Sequence, residues 1–372
     1  MKAAQGATGY LPPPLQPVGR TKVHWGGRDL LYFGGCDYFR LSTHPAVRSV
    51  VRRSLSTLGL NVAASRLTTG NHALHLELEA RLAQFFEVEA AALVPNGYLS
   101  NLAAAQALEG QFTCALLDER AHPSLVDASL ALGCPVSRFR HRDPEDLARL
   151  LRALPHPSSP LILTDGVFGQ DGALAPLGEY LELLPKDGRI LVDDAHGVGV
   201  LGRYAKGTAQ HFGVPVRRLV QCATLSKAFG VHGGVILGTR RLIEAVQRRS
   251  RVFAGSTPLP LPLAAGALAA LVLVATDLKM RQRLAHSTAL VKAALPTFGV
   301  AVHDNPAPIV SLEPKSTQQA ARLERSLLAQ RIYPSFIRYP GGPEAGFFRF
   351  AISSEHTPRE LGRLVAGVAC GL

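Results

Sequence analysis

The chain alternates between short apolar runs and longer stretches in which apolar residues recur every three or four positions. That alternation predicts strands followed by helices, and with them a mainly parallel sheet covered on both faces. Residues 91–94, 161–164, 189–192 and 219–223 are apolar runs that stop just before polar or glycine-bearing loops, and they read as buried strands. Residues 75–86 set Leu76, Leu78, Leu82 and Phe86 among charges, the pattern of an amphipathic helix. The class is α/β. In open α/β sheets ligands gather at the carboxyl ends of the strands, so the loops after these four runs are expected to converge on one site.

After residue 276 the pattern changes to a helix, a few short strands and a final helix from Pro358. The expected organisation is an N-terminal segment over 1–45, a large domain over 46–276 and a smaller α+β domain over 277–372. There is no internal repeat and no low-complexity linker. Residues 261–276 are apolar enough to raise the question of a membrane helix. The stretch is short for a span and opens in a proline-rich turn, so a buried helix is the better reading.

With 372 residues, 47% of them hydrophobic and 18% charged, the chain can bury a substantial core and is not disordered. Its formal charge of +12 suits a polyanionic small molecule. The arginines are spread out, with only short clusters such as Arg248, Arg249 and Arg251, which argues against a nucleic-acid-binding arm. Cys36, Cys114, Cys134, Cys222 and Cys370 are odd in number and form no CxxC pair. Reduced thiols, no structural metal and a cytoplasmic address follow. The opening MKAAQGATGYLPPPLQP has no continuous apolar core and does not read as a secretory signal.

Two segments carry the strongest chemical signal, DDAHGVGVLG (193–202) and ATLSKAFGVHGG (223–234). A lone lysine in a loop of small residues is usually a surface residue. Here Thr224 and Ser226 precede Lys227 and glycines surround it, so the backbone can approach a ligand while hydroxyls hold a phosphate. Lys227 is therefore a candidate Schiff-base lysine. Asp193, at the end of an apolar strand, needs a cationic partner to be buried, and a protonated pyridine nitrogen would supply one. His196 follows three residues later on the same side. Apart from Lys227, this Asp and His would read equally well as the framework of a turn.

In LVPNGYLSN (93–101) the Gly97 and Tyr98 amides fall at a predicted helix start, where a dianionic phosphate is favoured, although an Asn-Gly pair alone is usually just a turn. In DERAHPSLVDA (118–128) His122 follows another strand end and can stack on a flat cofactor, against the commoner fate of a satisfied core histidine.

Taken in order, DYFRLSTHP, SRLTTGNHALHLELE, NGYLSN, ERAHPSL, TDGVFGQDGALAPL, VDDAHGVGVLG, KGTAQHFGV, TLSKAFGVHGG, STPLP and FRFAISSEHT resemble the α-oxoamine synthase family, within the fold-type I pyridoxal phosphate (PLP) enzymes. The resemblance runs from about Tyr32 to about His356. It implies a large domain with a mainly parallel, mixed sheet and a smaller C-terminal domain. It also implies that Lys227 carries PLP, Asp193 pairs with the pyridine nitrogen, His196 bonds the ring oxygen and His122 stacks over the ring. Gly97, Tyr98 and Thr224 would hold the phosphate, with Thr257 reaching in from a second subunit of a homodimer. Arg349 would bind the carboxylate of the amino acid substrate.

The implied reaction joins a small amino acid to an acyl-CoA with loss of carbon dioxide, and DDAHGVGVLG with KGTAQHFGV is most similar to the biotin-pathway branch, which uses L-alanine and pimeloyl-CoA. A relative using glycine or serine, a retro-aldol lyase on the same cofactor and a binding protein without turnover remain the alternatives. Neither nucleic acid nor membrane is an expected partner. The chain departs from the family at Cys36, where asparagine is usual, and at Arg40, which replaces a glycine. Asn61, Ala63 and Ala64 stand in a stretch usually rich in glycine, and Gly169 stands where a serine is usual.

Overall fold

The computed structural model describes residues 12–338 and 345–372. Most of the opening stretch read as lacking a secretory signal, residues 1–11, lies outside them. At the centre is a seven-stranded mixed sheet. From one edge its strands are Ala90–Val94, Gly234–Gly238, Leu219–Thr224, Arg189–Asp193, Pro160–Asp165, Cys114–Asp118 and Val136–Phe139. Only Gly234–Gly238 runs antiparallel to its neighbours. All four predicted strands are present, each a residue or two longer than the apolar run because residues flanking the run at one end or both still pair in the ladder.

These strands are apolar throughout because both faces are covered. Leu161, Leu163 and Leu191 pack on one side with Ala103 and Ala107 of the helix Gly97–Leu108. Ile162, Ile190 and Val192 pack on the other with Leu177 and Tyr180. Strand pairing then aligns the ends: Asp165 lies opposite Asp193 in a parallel pair, and Thr224 lies opposite Gly234, the start of the antiparallel strand, which in turn faces Val94. Four chain segments therefore turn out of the sheet along one edge, as expected from the loops.

The helix Ala73–Phe86 buries Leu78, Leu82 and Phe86, together with His75 and Glu79. Leu76 is 51% exposed, contrary to the expected stripe, because it falls one position off the 75, 78, 79, 82, 83, 86 arc that faces the core. The apolar helix Leu261–Thr276 is packed along much of its length, with Ala264, Ala267, Ala270 and Val274 fully enclosed. No single helix among the described residues is long and apolar enough to cross a membrane.

The C-terminal elements form a second sheet in the order Ile309–Leu312, Phe347–Ala351, Phe336–Ile337, all antiparallel. The helices Leu278–Ala294, Thr317–Ala329 and Pro358–Gly371 accompany it, the last opened by a capping box between Thr357 and Glu360. Leu31 and Phe33 belong to the same hydrophobic cluster. The Leu31 amide donates to Arg331 O at 2.8 Å and the Ala351 amide to Phe33 O at 2.6 Å. The segment after Leu31 is thereby fixed between the two sheets, and it brings Cys36, Tyr38 and Arg40 toward the strand ends.

Candidate active site

A cavity of about 680 Å³ opens at the carboxyl ends of the central strands, with His122, Asp165, His196, Lys227 and Arg349 in its lining. Lys227 sits in the turn after Leu219–Thr224 and is partly buried. Burial lowers its ammonium pKa from the ordinary value, against the opposing pull of Cys36, Asp193 and Asp165. Its Nζ is 2.7 Å from His196 Nε2. Burial, and then the nearby positive charges of Lys227 and Arg349, push the His196 imidazole well below its usual range, so the ring is neutral. Its Nδ1 is 2.6 Å from the Tyr38 hydroxyl, and burial raises the Tyr38 phenol well above 10. Tyr38 therefore keeps its proton.

Asp193 ends its strand beneath this group. Its Oδ2 accepts from Asn101 Nδ2 at 2.6 Å and its Oδ1 from the Ala195 amide at 3.1 Å. Ser124, which accepts from Asn101 at 2.8 Å, is 3.4 Å from the same Oδ2. Among the described residues no cation forms an ion pair with this carboxylate, although it is only 7% exposed. A buried anion stabilised by neutral donors alone is a ready partner for a protonated ring nitrogen, which is the fit that PLP requires. Next to it Asp165 accepts from the His122 amide at 2.8 Å, and burial followed by repulsion from Asp193 raises its carboxyl well above the usual range.

His122 caps the helix Pro123–Leu130, with proline in the first turn, and its Nδ1 accepts from the Ser124 amide at 3.2 Å. That contact holds the ring toward the open side of the cavity, where partial desolvation lowers its pKa. Gly97 opens the helix Gly97–Leu108 under the Asn96 cap and lies directly against Thr224. A Cβ at Gly97 would come within 2.7 Å of the Thr224 side chain. Tyr98 meets His122 edge-on, with ring centroids 6.1 Å apart, and its hydroxyl bonds Asp127. Thr257 is exposed and does not line the cavity.

Arg349 enters from the strand Phe347–Ala351 and donates to Gly169 O at 3.0 Å, while its Nε has no partner. Gly169 itself faces His196: a Cβ there would lie 2.5 Å from His196 Nε2. The imidazole thus occupies the space that a side chain at 169 would need. Cys36 lines the cavity, whereas Asn61, Ala63 and Ala64 do not.

The structure therefore gathers His122, His196, Lys227 and Arg349 around one cavity, with Asp193 below it and Gly97 against Thr224 at its edge. Sequence reasoning gave no role to Tyr38, Asn101, Ser124 or Asp165. All four lie inside motifs already singled out, and their apolar flanks were a signal that such polar groups need partners. The partners themselves are 69 to 158 residues away.

A family model for aminotransferases of class I and II matches residues 29–368. An 8-amino-7-oxononanoate synthase of Thioalkalivibrio sulfidiphilus is 37% identical over 342 residues, spanning 91% of this chain and 87% of the relative. The enzyme of that name from Nitrosococcus oceani is 34% identical over 347 residues, covering 92% of each. Among solved structures, a serine palmitoyltransferase from S. paucimobilis with bound PLP-myriocin aldimine superposes with a TM-score of 0.90 at 26% identity, over 96% of this chain and 90% of that one. With a matching model over nearly the whole described length and relatives above 30% identity across both chains, this protein belongs to the aminotransferase class I and II family.

Proposed function

We propose that the protein is a PLP-dependent acyltransferase that condenses L-alanine with pimeloyl-CoA, releasing coenzyme A and carbon dioxide, to give 8-amino-7-oxononanoate. The observation that carries the reading is the buried amine of Lys227, held 2.7 Å from a neutral imidazole above a carboxylate without a cation. Its similarity to synthases of that name over most of both chains supports the choice of substrates.

PLP, when bound, supplies an electron sink for negative charge at the α-carbon of the amino acid. Asp193 holds the proton on the ring nitrogen that keeps the sink effective. Asn101 and Ser124 fix the carboxylate for this task. Gly97, Tyr98, Thr224 and Thr257 of the partner subunit are the groups assigned to the phosphate, and the working unit is a cytoplasmic homodimer.

Arg349 binds the substrate carboxylate through its guanidinium, which suits planar, bidentate contacts. With its pKa lowered by burial, Lys227 is neutral often enough to take the α-proton as general base. His196 positions that amine. Tyr38, donating to Nδ1, leaves the imidazole proton on Nε2, facing Lys227. His122 presents a flat face for the ring.

Two measurements test the reading. Incubation with PLP followed by borohydride should add a pyridoxyl group to the peptide containing Lys227 and to no other. Thiol release from pimeloyl-CoA should require L-alanine and match the carbon dioxide formed. Cleavage of threonine without any thioester, in the absence of such release, would overturn it in favour of a lyase.

A further inference from the structure

Beside the active-site cavity lies a second one of about 350 Å³, and Cys36 lines both. Ser226, the neighbour of Lys227, is also in its wall, together with Arg20, Lys22, Arg40 and Asp37. We propose that this second cavity is the distal end of the acyl-substrate site and that Arg40 binds a carboxylate at the far end of the acyl chain. The proposal rests on the acyltransferase reading above and adds to it the residue that recognises the far carboxylate of a dicarboxylic acyl group.

Arg40 brings a guanidinium into the wall of this cavity. The side chain is only 7% exposed, yet among the described residues its guanidinium makes one hydrogen bond, from Nη2 to Tyr32 O at 3.0 Å, and no ion pair. Its Nε has no hydrogen-bond partner among the described residues. A buried cation without a direct ion pair is costly, and a ligand carboxylate in contact with it lowers that cost.

The other charges in the wall are already engaged or open to solvent. Arg20 pairs with Glu355 at 2.6 Å. Asp37, the one carboxylate in this wall among the described residues, accepts from the Leu41 and Ser42 amides at 3.0 and 3.1 Å and makes no direct ion pair with Arg40, although its charge favours the guanidinium. Lys22 is exposed at the rim and adds positive potential. The wall therefore carries more positive than negative charge, and Arg40 is its buried cation without a direct ion pair among the described residues.

Backbone geometry points the same way. Arg40 has φ 52 and ψ 36, a left-handed conformation that glycine takes without cost and arginine does not. The chain bears this strain where the resembling family has glycine, and with it gains the guanidinium in the cavity wall. Cys36 lines both cavities and Ser226 adjoins Lys227 in the wall of the second, so the two join the reactive amine's surroundings to those of the guanidinium. A monocarboxylic chain of equal length would place a methyl group against a buried charge.

Arg40→Gly removes the guanidinium and relaxes the backbone, so the variant should fold, with a melting temperature no lower than wild type. Calorimetric titration with pimelate and with heptanoate reads the site without turnover. Wild type should bind pimelate about tenfold to a hundredfold more tightly than heptanoate, and the variant should lose that difference. In assays with L-alanine, the KM for pimeloyl-CoA should rise by a similar factor in the variant while heptanoyl-CoA is unaffected.

Equal loss with both coenzyme A thioesters, but none with pimeloyl-N-acetylcysteamine, would place a coenzyme phosphate on Arg40 and overturn the proposal. So would unchanged discrimination in the variant while pimeloyl-CoA is turned over normally. Discrimination that depends on Arg40, in a protein that releases no thiol from any thioester, supports the anion site and defeats the acyltransferase reading instead.

Discussion

Lys227 Nζ lies 2.7 Å from His196 Nε2, and the same imidazole meets the Tyr38 hydroxyl at 2.6 Å through Nδ1. A tyrosine 158 positions earlier in the chain thereby fixes which nitrogen of His196 carries the proton facing the reactive amine. Tyr38→Phe keeps the packing and leaves a buried ring nitrogen without a partner, at a cost of about 1–3 kcal/mol. The expected result is a fall in kcat of roughly tenfold or more with little change in KM, measured by steady-state kinetics. A kcat equal to wild type would remove Tyr38 from the mechanism.

Gly169 provides a steric test. Restoring the serine usual in the resembling family, Gly169→Ser, puts a Cβ within 2.5 Å of His196 Nε2 and forces the ring away from Lys227. Thermal stability should drop by about 1–3 kcal/mol, as in other overpacked sites, and kcat should drop with it. A fully active serine variant would show that the imidazole is free to move.

For Asp193 the variant Asp193→Asn preserves shape and removes charge. The Asn101 and Ser124 contacts can persist at the amide oxygen while the Ala195 N–H loses its acceptor, so stability should fall by about 1–3 kcal/mol. Activity should fall by roughly 10²-fold or more, because the ring proton is no longer secured. Absorbance of the reconstituted protein separates loss of PLP from loss of rate.

Proton linkage at His356 predicts a pH response of stability. The ring stacks on Phe33 at 4.1 Å, accepts from the Ser353 amide at Nδ1 and faces Tyr32 O through Nε2. Burial, followed by the charge of Arg40, lowers its pKa from 6.5 to about 3. The folded protein thus refuses a proton that the unfolded chain accepts. Stability from this group is complete above pH 6.5 and is lost as the pH falls toward 3, with about 2 kcal/mol gone by pH 5. Urea denaturation of His356→Asn should show a flatter profile between pH 7 and 5.

The strands at Pro160–Asp165, Arg189–Asp193 and Leu219–Thr224 were legible in the sequence because burial on both faces demands uninterrupted apolar runs. Their last residues marked the site, since a carboxylate or a lysine at the end of such a run must have a partner. Leu76 was misplaced because a stripe of leucines does not itself say which face meets the core.

What the chain determined alone was local: the order of strands and helices, and the residue types Asp193, His196 and Lys227 at the turns. Tertiary structure decided which groups meet. Tyr38 behind His196, Asn101 and Ser124 on Asp193, and His196 filling the space beside Gly169 are contacts between segments far apart in sequence. They exist only because parallel pairing sets the strand ends side by side and the segment after Leu31 is pinned between two sheets. Spacing along a chain encodes the period of an element. It does not encode which distant side chain will satisfy a buried polar atom.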